Sequence, residues 1–420
     1  MKSMLFAMTA TTALTALPAF AVERAEVLDT YANIAAAGYA DSLTTAQALQ
    51  TAVDALLDQP SEAALQAART AWIAARVPYM QTEAYRFGNA IVDDWEGRVN
   101  AWPLDEGLID YVDATYGGAT DENEFAVLNV VANPSFTLSG EEVDASAITP
   151  ALLQDTLQEA DGVEANVATG YHAVEFLLWG QDLNGTDAGA GDRPWTDYAA
   201  GDDCTNGNCD RRADYLRAAT DLLVTDLDEM AAAWADGGAA RTAVLADETA
   251  GISAMLTGMG SLSYGELAGQ RMKLGVMMND PEEEHDCFSD NTHMSHYYDG
   301  LGVQNVYLGS YTRVDGSTVS GPSLSDLVAQ ADPAIDAQLK TELEASVAAL
   351  AVIRDKAEAG MAYDQMLARD NTEGEALVMG AVDALVIQTR SIERAVAALD
   401  LNGIAVEGSD ILDNPNAVFQ

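Results

Sequence analysis

The residues best suited to chemistry lie in Gly170-Tyr171-His172-Ala173-Val174-Glu175, which runs on into the apolar Phe176-Leu177-Leu178-Trp179. On a helix, His172 and Glu175 stand three apart and project from one face. An imidazole nitrogen and a carboxylate at that spacing can share one metal ion. The apolar surroundings require both groups to be satisfied, and a hydrogen-bonded His–Glu pair in a core would also do that. Helical zinc proteases read H-E-x-x-H or H-x-x-E-H, with two His on one face. Here Ala173 follows His172 and Phe176 follows Glu175, so the second His is missing. The duplicated di-iron signature reads Glu-x-x-His, whereas this chain has a single His-x-x-Glu. A mononuclear centre completed by distant carboxylates fits better than either template.

Two further groups of residues bear on that centre. Residues 280–296 crowd Glu284, His285, Asp286, Cys287, Asp290, His293 and His296 together. Oxygen and imidazole donors at this density suit Fe, Mn or Zn, against the plainer reading of a solvated acidic loop. Trp72, Arg76, Tyr79 and Glu83 recur at three- and four-residue steps, one face of a helix despite Pro78. That face either lines a pocket or forms a half-buried edge on which Arg76 pairs with Glu83. No Gly-rich nucleotide loop, G-x-S-x-G elbow or C-x-x-C-H haem motif occurs, so nucleotide-dependent enzymes, common covalent hydrolases and c-type cytochromes are poor fits.

The elements that must position these residues read as helices. Apolar residues recur with helical period over 46–57, 62–87, 149–179, 212–233, 239–278, 324–354, 363–369 and 373–399. Residues 91–139 form an ordered, aromatic-bearing excursion, and 279–322 a second irregular segment. The best strand candidate is 302–313. The fold class expected is all-α, with two helical-bundle domains at 22–200 and 201–420. The polar, Gly-rich stretch 180–210 supplies the boundary. The likeness of Ala52-Val53-Asp54-Ala55-Leu56 to Ala381-Val382-Asp383-Ala384-Leu385 hints that the domains are related by duplication.

Charge and targeting narrow the setting. Twenty Lys plus Arg against 67 Asp plus Glu leave a net charge of −47, which argues against nucleic-acid binding and against docking on anionic lipid. With 49% hydrophobic residues the chain still has ample material for a core. Residues 1–21 read as a secretory signal peptide, with Lys2, an apolar run and an Ala19-Phe20-Ala21 cleavage site. No later run reaches about 18 uninterrupted apolar residues, so membrane insertion is not expected and the periplasm is the expected location. In that oxidising space Cys204 and Cys209, flanking Thr-Asn-Gly-Asn, are candidates for a local disulfide, which leaves Cys287 odd.

With these residues in hand, the chain resembles the imelysin-like family, and within it the iron-regulated branch. The resemblance rests on Gly170, His172 and Glu175 with the following Phe-Leu-Leu-Trp-Gly, on 192–198, on 71–87, on Asn100-Ala101-Trp102-Pro103-Leu104 and on 284–293. It implies an exported protein of two related bundles with a pocket at their junction. It places Trp72, Arg76, Arg271, Ser289 and Asp290 around that pocket, with His172, Glu175 and Glu83 as metal ligands. The function it implies is iron binding for uptake, with ferrous or ferric ion as cargo and zinc as the alternative metal. A membrane iron transporter or a periplasmic redox protein is the partner expected. Two other readings stand beside it. One is a metallopeptidase using Glu175 as general base; the other is a module for haem or an organic ligand, clasped by Trp72, Arg76 and Tyr79.

Overall fold

A computed structural model describes residues 21–120, 123–401, 404 and 406–415. Nearly all of the expected signal segment, residues 1–20, lies outside the described residues.

Helix α1 (Arg24–Asp58) begins where the Glu26 carboxylate accepts the Glu23 amide (3.1 Å), a reciprocal cap that satisfies otherwise orphaned donors. After Pro60, the Ser61 hydroxyl caps α2 (Glu62–Met80) by accepting the Ala64 amide (3.3 Å). The helix ends two residues past Pro78, and Glu83 therefore falls on a separate 3-10 turn, Glu83–Tyr85. Helices α3 (Gly170–Trp179) and α4 (Cys209–Trp234) pack with α1 and α2 to complete a first bundle.

The second bundle starts with α5 (Glu248–Ser261), which continues without a break into the π-helical stretch Leu262–Lys273. On that stretch pack α6 (Thr292–Leu308) and α8 (Thr372–Ala398), and α7 (Pro333–Glu358) packs on both of these helices. The only sheets among the described residues are two antiparallel ribbons. One pairs β1 (Ser135–Leu138) with β2 (Glu141–Asp144), and the other β3 (Ser310–Thr312) with β4 (Thr318–Ser320). The chain is thus an all-α protein of helical bundles. Helix α4, which follows the expected boundary at 200, packs on α1 and α3. The larger apolar core likewise takes side chains from both sides of that boundary, from Val27 through Trp234 to Leu401.

Two glycines set how closely the bundles meet. A Cβ on Gly302 of α6 would stand 2.7 Å from the Gln81 carbonyl oxygen, and one on Gly258 of α5 would collide with the Ala84 carbonyl. Only bare backbone lets these helices reach the turn after α2.

Several sequence expectations need correction. Helix α1 starts at Arg24, well before residue 46, because Tyr31, Ile34 and Tyr39 bury along it among alanines. The segment 279–322 is not irregular throughout, since it holds α6, and residues 302–308 of the expected strand are helical; only 310–312 pair as strand. Helix α6 escaped notice because its buried positions include Thr292, Ser295, His296 and Asp299, which break the apolar period that marks a helix. Residues 149–179 are interrupted as well, with regular helix resuming at Gly170.

Candidate metal centre

The centre is built on α3. Gly170 has φ +80°, and a Cβ there would lie 2.5 Å from the Val99 carbonyl oxygen. That oxygen accepts the Tyr171 amide (2.7 Å), so the helix start is clamped onto residue 99 in a conformation suited to glycine. One turn on, His172 and Glu175 are fully buried on the same face. Nδ1 of His172 is 3.0 Å from Oε2 of Glu175. The other Glu175 oxygen accepts the Ser289 hydroxyl (2.6 Å) and the Ser289 amide (3.0 Å). Nε2 of His172 has no hydrogen-bond partner.

The loop before α6 brings His285 and Asp286 to this helix. The His285 ring lies edge-on to His172 with centroids 4.8 Å apart. Ligand atoms of His172, His285 and Asp286 all fall within 4.8 Å of one another, the one such trio among the described residues. Asp286 is held from several sides. It accepts Nη2 of Arg76 (2.8 Å), Nδ2 of Asn291 (2.9 Å) and the Ser295 hydroxyl, while its own amide donates to Thr292 (2.9 Å).

Arg76 reaches the trio from α2. Its guanidinium donates to Asn100 (2.5 Å) and lies 5.0 to 5.8 Å from the ring centroids of Tyr171, Trp72 and Tyr79. Trp72 spends its indole N–H on the Tyr171 carbonyl (2.9 Å) and serves as packing. Glu83 binds Arg271 (2.8 Å), which also pairs with Asp299 (3.1 Å), so Glu83 belongs to an adjoining ion network. Ser289 touches the centre through Glu175. Asp290 has one buried oxygen without a partner and lies under the influence of Asp364 and Asp182. Residues 280–296 are dense in donors, but no spacing rule says which of them turns toward His172; His285 and Asp286 emerge only from the fold.

Electrostatics keep the imidazoles neutral. Burial, then Arg76, pushes His172 down to about 3, and burial, then Arg271, holds His285 well below its ordinary value. Burial would raise Asp286, but Arg76, His172 and the hydrogen bonds from Ser295 and Asn291 together outweigh it and hold the carboxyl below the usual range. Burial, then Asp286, raises Glu175 well above the usual carboxylate value. A neutral imidazole pair beside an ionised carboxylate is ready to take a cation without first losing protons from the histidines. Beside the centre lies a cavity of about 300 Å³, with His285, Trp102, Arg271, Glu96 and Glu266 among its walls.

Elsewhere, Cys204 and Cys209 form a disulfide at the start of α4, and Cys287 is free. No described helix is long and apolar enough to cross a membrane.

The fold and centre define a helical-bundle protein with a buried histidine–carboxylate cluster where its bundles meet. The model of the Imelysin family, which also bears the label Peptidase_M75, matches residues 35–392, and the chain belongs to that family. It is 39% identical over 83 residues to iron-regulated protein A of Synechococcus elongatus (strain PCC 7942). That match covers 20% of this chain and 21% of the relative's length. A crystal structure from Parabacteroides distasonis ATCC 8503, described as an iron-regulated protein A precursor, superposes with a TM-score of 0.61. It is 18% identical, and the superposition covers 88% of this chain and 95% of that one.

Proposed function

We propose that this chain is an exported, periplasmic iron-binding protein serving iron uptake, and that the ion is held at His172, His285 and Asp286. The observation that carries the reading is the trio itself: two neutral imidazoles and a carboxylate within 4.8 Å, with Nε2 of His172 unpartnered. Two histidines and one carboxylate with further positions open are a donor set that suits ferrous iron. Glu175 then orients His172 from behind through Nδ1, and Ser289 in turn orients Glu175. The printed names of the relatives, both iron-regulated proteins, support iron as the cargo. The acidic surface gathers cations, and a membrane transporter or periplasmic redox protein would exchange the ion with it. No turnover is required.

The test is anaerobic calorimetric titration of the metal-free protein with Fe²⁺, with zinc as competitor. His172→Ala and His285→Ala are each expected to weaken binding at least tenfold to 100-fold, roughly the loss seen even for residues supporting a ligand. Glu83→Gln, in the adjoining network, is expected to retain binding. Unchanged iron affinity in both histidine variants overturns the assignment, and failure of the metal-free protein to bind Fe²⁺ overturns iron as the cargo; displacement by zinc alone does not, since such sites ordinarily hold Zn²⁺ more tightly.

A further inference from the structure

The cavity of about 300 Å³ beside the centre runs from the surface to one of the three ligands. Of its walls, Glu159 and Glu164 are exposed, Arg86 and Glu266 are half-buried, and Asn100 and His285 are buried. A larger cavity of about 580 Å³ reaches Cys287 and Phe288 but none of the three ligands. Four carboxylates line the smaller one, those of Glu96, Glu159, Glu164 and Glu266, against the two arginines Arg86 and Arg271. Both arginines are already engaged. Arg86 pairs with Glu96 (3.6 Å) and Glu266 (3.3 Å), and Arg271 with Glu83 and Asp299. The Asn100 carboxamide is fixed at its oxygen, which accepts Arg76. Its Nδ2, in a residue only 3% exposed, has no hydrogen-bond partner.

A cavity walled in this way attracts cations and repels anions, and its low-dielectric sides focus that field. An octahedral shell of about six waters occupies roughly 180 Å³, which fits inside it. The unpartnered Nδ2 of Asn100 is a donor that needs an oxygen, and a water carried by an ion supplies one. We infer that this cavity admits the ion to His285 as a hydrated divalent cation and not as an anionic ferric chelate, with Asn100 holding a water of the shell while the imidazoles replace others. The inference rests on the placement of the ion at His172, His285 and Asp286.

Gly97 offers a place to obstruct the passage. It follows the short helix Ala90–Glu96 on the cavity wall with a helical φ of −57°, and the nearest atom to a Cβ there is Oε1 of Glu159, at an ordinary 3.8 Å. The experiment measures stopped-flow association and chelator-driven dissociation on the full mature chain, with anaerobic Fe²⁺ and in parallel with Zn²⁺. Gly97→Leu is expected to slow both rates about tenfold and leave Kd within about twofold, because an obstruction raises the barrier equally in both directions. Glu159→Gln with Glu164→Gln is expected to slow association about threefold at low salt. Asp202→Asn with Asp203→Asn removes the same charge from exposed positions off the cavity and is expected to change it far less. Ferric citrate is expected not to bind. Native rates in Gly97→Leu overturn the route, as does equal association in the two charge variants or uptake of ferric citrate as fast as Fe²⁺. If Gly97→Leu does not fold, the two charge variants decide. Any of these results with metal binding intact counts against the route alone. A native chain that binds neither metal, or histidine variants that bind as well as it does, counts against the centre, and the route falls with it.

Discussion

His172 and His296 are neutral for the same reason: burial, reinforced by nearby arginines, outweighs Asp286 and pushes each down to about 3. The unfolded chain protonates histidine at its ordinary 6.5, whereas the folded chain resists until about 3. The stability is therefore intact above 6.5 and lost progressively as pH falls toward 3. Within that window each histidine contributes a slope of about 1.4 kcal/mol per pH unit. His296 lies outside the metal trio and both its ring nitrogens lack partners, which makes it the cleaner probe. Urea unfolding of His296→Asn across the acid range is expected to show a pH slope shallower by about one proton. An unaltered slope would mean that His296 takes up its proton in the folded state.

The helices owe their close meeting to positions that lack a side chain. Gly302 rides over Gln81, and the same helix α6 begins with Thr292 and Ser295, which hold the Asp286 amide and carboxylate. Gly302→Ala is expected to cost about 1–3 kcal/mol, the range for forcing a methyl into a packed contact. Iron binding should weaken with it, because a displaced α6 carries Asp286 away from His172. Gly380→Ala in α8 is the matched control: no atom stands within 4 Å of its added methyl, and the change should be neutral or stabilise by about 0.5–1 kcal/mol. Equal melting temperatures for the two variants would show that the α6 crossing is looser than the backbone distances require. The π-helical stretch Leu262–Lys273 belongs to the same junction, since its Arg271 spans Glu83 of the first bundle and Asp299 of α6.

The charge of −47 acts on the protein at large. Five of the 20 Lys plus Arg are buried among the described residues, and of these Arg76, Arg193, Arg212 and Arg271 pair with Asp286, Asp110 and Glu83. Thirteen Asp and Glu are buried, against those five arginines, so burial trims the net charge of the surface but leaves it strongly acidic, and its self-repulsion opposes the compact state. Salt screens exposed charges and hardly touches buried pairs, so the melting temperature is expected to rise between low salt and about 0.5 M NaCl. A flat or falling profile would mean that surface repulsion is not a significant load. Chelator-treated protein should be used, so that cation binding and screening are read apart.

Local features were legible without a fold. Helical period identified the long apolar helices, and three-residue spacing put His172 and Glu175 on one face, because both depend only on backbone geometry within a turn. Helix α6 was hidden, since the polar residues it turns inward erase the amphipathic signature on which such reading relies. Glu83 and Arg271 are 188 positions apart and Arg76 and Asp286 are 210 apart, and no local rule links such pairs. Which carboxylate faces an arginine, which faces His172 and which is buried with no partner was decided by how the bundles pack. Packing alone sets the distances and the loss of water that give each charge its partner, and its role, in the folded protein.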